Sequence, residues 1–179
     1  MRLLFNAVLI LLLAGCATTA PPVQRLGLRL SPASLGATVS VQQHLTVERG
    51  ARTDELDAAL EIDTGHLTLV GLAFGQRVLG IDYDGSAIKE WRHPMLPAQV
   101  RADDVLQDLQ LTLWPHAALA AALPPGWTIV DDGDGMRRTL RLDGAVVATV
   151  TYSAMPRWSG TVVLDNLRYR YRLTIQSAP

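Results

Sequence analysis

The sequence predicts a mainly β domain with some α: a curved antiparallel sheet forming an incomplete barrel of about ten or eleven strands, with a mid-chain helical lid. Three observations carry this. From Val39 onward most of the chain alternates apolar and polar residues with period two, in short runs separated by Gly, Asp or Pro. One stretch, Asp103–Pro115, has a helical period instead: Val105, Leu109 and Leu113 recur at i, i+4, and Leu106 joins them. A long antiparallel sheet twists and curls, so one apolar face needs a cover, and the helix is the segment placed to give it.

The chain has 179 residues, enough for one domain, and a formal net charge of −1. That balance implies no nucleic-acid partner. Arg2 opens the sequence and Leu3 to Leu13 is apolar except for Asn6. This run is about half of the ~20 residues needed to span a bilayer, so it reads as a signal peptide over 1–15. Leu13-Ala14-Gly15-Cys16 places small residues before the only cysteine in the chain. The pattern resembles a bacterial lipoprotein signal, which implies cleavage before Cys16 and lipidation of its thiol. Several acyl chains at about 0.8 kcal/mol per buried methylene make such an anchor practically permanent. Ala17 stands where an aspartate tends to retain enterobacterial lipoproteins in the inner membrane, so the expected location is the outer membrane of a Gram-negative bacterium, facing the periplasm. Residues 16–25, small and polar with Pro21-Pro22, read as the tether. Residues 26–179 read as the half-barrel domain.

Taken in order, a possible edge strand lies near Leu26–Leu30. Val39, Val41, Leu45 and Val47 form the inward row of one strand, and Leu56, Ala58, Leu60 and Ile62 that of the next. Leu67–Phe74 is apolar on both faces. Gly75-Gln76 reads as a two-residue hairpin connection, followed by Arg77–Tyr83, the Asp84-Gly85 turn and Ala87–Trp91. His93-Pro94 to Pro97 leads to the helix, with Asp103 as N-cap, Asp104 in the first turn, and Pro115 as the stop. His116–Leu123 reads as a second short helix. The strands then resume as Trp127–Val130, Arg138–Leu142, Val146–Tyr152, Thr161–Leu164 and Arg168–Ile175. In the last of these, Tyr169, Tyr171, Leu173 and Ile175 face one way and Arg168, Arg170 and Arg172 the other.

The run from Leu67 to Gly85, the run Asp104-Val-Leu-Gln-Asp-Leu-Gln-Leu-Thr-Leu-Trp-Pro115, and the closing Leu164–Ile175 resemble an uncharacterised family of bacterial outer-membrane lipoproteins that accompany aryl polyene biosynthesis clusters. The resemblance supplies no catalytic residue. More loosely, the layout is similar to the LolA/LolB lipoprotein carriers, which implies an unclosed barrel, a helical lid and an apolar cavity. LolB has a projecting loop with an exposed apolar residue between two early strands. Here the corresponding connection reads as the tight Gly75-Gln76 turn, a departure that leaves the cavity as the shared feature.

Other constellations have ordinary structural readings. Asp131-Asp132-Gly133-Asp134-Gly135 lacks the later glutamate of a calcium loop and reads as a hairpin turn. His44, His66, His93 and His116 show no metal-ligand spacing. Ser153 and Ser159 stand in no Gly-x-Ser-x-Gly elbow. No cofactor or metal is implied. The expected function is non-enzymatic: a lipoprotein joined to the membrane through Cys16 that binds or carries a hydrophobic, lipid-like ligand, whether an acyl or aryl polyene lipid or lipoprotein acyl chains. The expected cavity lining is Leu60, Ile62, Leu67, Leu69, Ile81, Leu106, Leu109 and Leu113. The alternative is a scaffolding lipoprotein recruiting partners of a lipid-modifying pathway, with a filled interior and an apolar surface patch.

Overall fold

The computed structural model describes residues 25–178. The expected signal peptide, Cys16 and most of the tether lie outside them. Ten strands form one antiparallel sheet: β1 Val39–Arg49, β2 Arg52–Ile62, β3 Leu67–Ala73, β4 Gln76–Tyr83, β5 Ile88–Arg92, β6 Trp127–Asp131, β7 Arg137–Leu142, β8 Ala145–Tyr152, β9 Thr161–Asn166 and β10 Tyr171–Ser177. Their order is β5-β4-β3-β2-β1-β10-β9-β8-β7-β6. The two edge strands, β5 and β6, are not paired with one another, so the sheet is curved and unclosed. Helices α1 (Ala102–Leu113) and α2 (His116–Ala122) lie between these edges in sequence. The predicted fold class is thus the observed one.

The core follows from the period-two rows. Leu60 and Ile62 of β2, Leu67 of β3, Ile81 and Tyr83 of β4, and Val150, Val162 and Leu164 of β8 and β9 are all buried. They share one apolar cluster with Leu106, Leu111, Leu113 and Trp114 from the helical stretch. Burying a side chain of this size contributes roughly 1.5–3 kcal/mol each.

The ends of α1 are tied by polar contacts that explain its unusual sequence. Its last carbonyls would be orphaned without partners. Arg138, whose side chain is fully buried, donates from Nη1 to Leu111 O at 2.6 Å and Trp114 O at 3.0 Å. Tyr152 Oη donates to Thr112 O at 2.8 Å. Arg157 Nη1 donates to Trp114 O at 3.2 Å. Both guanidiniums are answered by Asp131, at 2.8 Å from Arg138 and 2.6 Å from Arg157. Two cations at a helix C-terminus also complement its dipole.

Segment 25–30 lies along the other side of α1. Leu26, Leu28 and Leu30 are buried and alternate with Arg25, Gly27 and Arg29. This is the expected edge strand, and here the structure differs: the segment joins no ladder. Its backbone pairs with glutamines of α1 instead. Gln107 Oε1 accepts from Gly27 N at 2.9 Å. Gln110 Oε1 accepts from Leu30 N at 3.1 Å, while its Nε2 donates to Leu30 O at 2.9 Å. Trp114 Nε1 donates to Ser34 Oγ at 2.9 Å.

Three local expectations shift. The N-cap of α1 is Arg101, without a side-chain cap; Asp103 and Asp104 lie in the first turn and pair with Arg29 and Arg25. The β3–β4 connection is Phe74-Gly75, with φ of 52° and 72°, so both central residues are left-handed as a type I′ turn requires. Phe74 is 96% exposed at its tip. Strand β10 begins at Tyr171, so Arg168 and Arg170 sit in the preceding turn and do not extend a row with Arg172.

The buried Arg138 gives a direct test. Arg138→Leu leaves Asp131 facing Arg157 alone, takes the donor from Leu111 O, and leaves Trp114 O with Arg157 only. Losing one partner of such a pair costs about 3–5 kcal/mol. Urea unfolding should show a loss in that range.

Candidate functional site

Along β1, β2, β3 and β4 the inward row divides in two. The halves near Val39, Ile62, Leu67 and Tyr83 pack in the core. The halves near the β1–β2 and β3–β4 turns line a cavity of about 920 Å³, which α1 and β10 also wall. Its wall is mostly apolar: Leu45 and Val47 of β1, Leu56 of β2, Leu69 of β3, and Leu173 and Ile175 of β10. Small residues explain why the space stays unfilled. Ala58, Gly71 and Ala73 occupy inward positions, so nothing long reaches across from β2 and β3. Arg49, Arg52, Phe74 and Met95 line the cavity and are exposed, which marks its mouth at the turn end of the half-barrel.

The eight residues expected to line a cavity divide between its wall and the core. Leu69 and Leu109 are on the wall. Leu60, Ile62, Leu67, Ile81, Leu106 and Leu113 are buried in the packed cluster. The lining that sequence reasoning missed is on β1 and β10, in the Met95–Arg101 connection, and at Asp108. The signal was available for part of it: small or polar residues at inward positions, such as Ala58, Gly71 and Gln43, mark where a row stops filling space.

Asp108 is the unusual group. It faces the cavity from α1, and its Oδ2 accepts a hydrogen bond from the Tyr171 hydroxyl of β10. Asn166 Nδ2 donates to that hydroxyl at 3.1 Å. The residue as a whole is half-buried, but Oδ1 is closed off from water and has no partner. Burial pushes its pKa up to about 7, the Tyr171 hydrogen bond opposes this, and the Asp104 charge adds to it. Tyr171 is itself raised, chiefly by burial and then by Asp108. The hydrogen bond from Tyr171 ties the helix to the sheet at the cavity wall.

The remaining candidates serve the fold. Asp131 is held by two arginines, and Asp134 Oδ1 accepts from Met136 N at 2.9 Å within its turn. Ser153 Oγ accepts from Thr161 N at 2.7 Å, and Ser159 Oγ donates to Pro156 O at 2.6 Å. His44 Nδ1 lies 2.9 Å from Asp57 Oδ1 on the outward face. Among the described residues no helix is long and apolar enough to cross a membrane.

The raised Asp108 pKa has a definite sign. The folded state holds this proton more tightly than the unfolded chain, where the value is 3.8. The contribution is therefore fully present below the unfolded value and is lost as pH rises toward about 7. The wild-type midpoint in urea should decline from about pH 4 to about pH 7 and level off above that, and Asp108→Asn should flatten that decline.

Among solved structures the described geometry has distant likenesses. A LolA superfamily protein from Nitrosomonas europaea aligns with a TM-score of 0.47 at 8% identity, over 87% of this chain and 93% of that one. A DUF1329 family protein from Desulfovibrio piger aligns with a TM-score of 0.40 at 9% identity, over 82% and 87%. A search of curated proteins finds no match. The family model for a protein of unknown function, DUF3261, matches residues 40–179, which includes all ten strands but for the first residue of β1, and both helices. The chain belongs to the DUF3261 family.

Proposed function

We propose that this protein is a lipid-anchored carrier or binding protein of the Gram-negative outer membrane, facing the periplasm. Its half-barrel shelters the apolar chains of a lipid-like ligand. The observation that carries the reading is the cavity of about 920 Å³ between α1 and the sheet, walled mainly by aliphatic side chains. A space of that size and lining is typical of small-molecule sites. At about 30 Å³ for each water-sized group, it has room for roughly thirty methylenes. An acyl lipid, an aryl polyene lipid or the acyl chains of another lipoprotein would suit it. Lipidation at Cys16 would supply the anchor, and the membrane is then the first partner. The proposed role is non-enzymatic: Ser153, Ser159 and Asp131 are engaged in structural hydrogen bonds, and the hydroxyl beside Asp108 is that of Tyr171, whose pKa burial raises and so keeps it protonated. The scaffolding alternative calls for a filled interior, and the open cavity counts against it.

The reading makes two measurable claims. Lipid should co-purify with the chain from Ala17 onward and be seen by mass spectrometry. Leu173→Trp, which projects bulk into the cavity from β10, should cut that occupancy severalfold with little loss of stability. An unchanged lipid content in the variant, or none in the wild type, would remove the cavity as the site. Separately, a labelled palmitate analogue should be incorporated in cells and lost on Cys16→Ser; label retained by the variant would sink the anchor.

A further inference from the structure

The mouth of the cavity carries a charge that folding does not account for. Four arginines line the cavity: Arg25, Arg49, Arg52 and Arg101. Three of them have a carboxylate. Arg25 lies 2.8 Å from Asp104, Arg52 2.8 Å from Asp54, and Arg101 3.4 Å from Asp103. Arg49 makes no such pair among the described residues. It sits directly opposite Arg52 in the β1–β2 register. Like charges placed opposite one another destabilise a strand pair, and Arg49 has no carboxylate to offset this.

The Arg49 side chain is nevertheless held in place. Its Cζ lies 5.4 Å from the centre of the Tyr171 ring, in the range of a cation–π contact. Tyr171 is a wall residue of the cavity. The guanidinium is thus fixed where the apolar wall gives way to solvent. Glu55 is also close to the mouth, but it pairs with Thr46 in the register and so alternates to the opposite strand face from Arg49 and Arg52. The other carboxyls of the cavity wall have partners of their own, Asp54 in Arg52, Asp104 in Arg25 and Asp108 in Tyr171, and none of them pairs with Arg49.

We propose that the ligand of this cavity is an anionic amphiphile, whose apolar chains lie against β1, β3 and β10 and whose carboxylate or phosphate head is bound by Arg49 at the mouth. Guanidinium is suited to both head groups, since it presents parallel donors to two oxygens. This rests on the carrier reading and adds the head-group class to it.

The test uses two ligands with one chain and different heads, hexadecanoate and hexadecanol, at pH 8. Each displaces the fluorescent apolar probe N-phenyl-naphthylamine from the chain beginning at Ala17. A charge-assisted hydrogen bond predicts that hexadecanoate binds about tenfold more tightly than hexadecanol. Arg49→Gln should remove that preference and leave hexadecanol binding unchanged. Monohexadecyl phosphate should follow hexadecanoate in both proteins, whereas inorganic phosphate alone should neither bind nor compete. Equal affinity for acid and alcohol in the wild type would overturn the head-group assignment and leave the cavity standing. Equal weakening of both ligands by Arg49→Gln would make the residue merely structural and overturn it too. Competition by inorganic phosphate would show that the anion binds without an apolar chain and would overturn the amphiphile assignment. Binding of no chain at all would overturn the carrier reading itself.

Discussion

Helix α1 is fixed from outside by side chains that belong to other elements, and the division of the interior depends on where they hold it. Arg138 and Tyr152 reach the last turn from β7 and β8, and Arg157 from the loop after them. Gln107 and Gln110 bind the segment before β1. With these ties at its end and along one side, the helix can bury Leu106, Leu111 and Leu113 in the core while Val105, Asp108 and Leu109 border open space. A helix packed by its leucines alone could slide toward the sheet and close that space. Polar contacts are directional, and apolar burial is not. The cavity persists because directional contacts set the depth at which the helix lies.

Much of the fold was legible because its main signal is periodic. Alternation over Val39–Ile62 and over Tyr171–Ile175 needs no partner to be recognised, and the turn residues between runs set most strand limits. Segment 25–30 has the same alternation and was misread. Period two reports which side chains are buried, but it does not say whether the backbone bonds to a strand or to two glutamines. The turn at Phe74-Gly75 was misplaced for a related reason. An aromatic residue is rare at positive φ, so Gly75 drew the turn one residue too far along the chain. As a result the exposed aromatic at the mouth went unseen.

The site was less legible than the fold. Of the eight leucines and isoleucines expected along a cavity, Leu69 and Leu109 border the open space, while Leu60, Ile62, Leu67, Ile81, Leu106 and Leu113 lie in the core. Hydrophobicity identifies what faces inward, and both core and cavity face inward. What separates them is volume: Ala58, Gly71 and Ala73 leave a gap that larger residues elsewhere in the same rows fill. Asp108 was hidden by its helical neighbours, since a charged residue beside leucines ordinarily reads as a solvated position. Only the approach of Tyr171 from β10 makes it a buried carboxyl. Arg49 likewise looked like an ordinary strand end until the register set it against Arg52.

The sheet order has a kinetic side. Strands β1 and β10, from opposite ends of the domain, are neighbours in the middle of the sheet, and Gln43 bonds Ser177 across 134 positions of sequence. Each half, β1–β5 and β6–β10, is a meander of local hairpins that can form quickly. The seam between them cannot form until the last strand is available, and closing so long a loop is slow. Until β10 is available, the apolar faces of both meanders stay unjoined. The seven residues of β10 therefore control when the two apolar faces are joined and protected from aggregation.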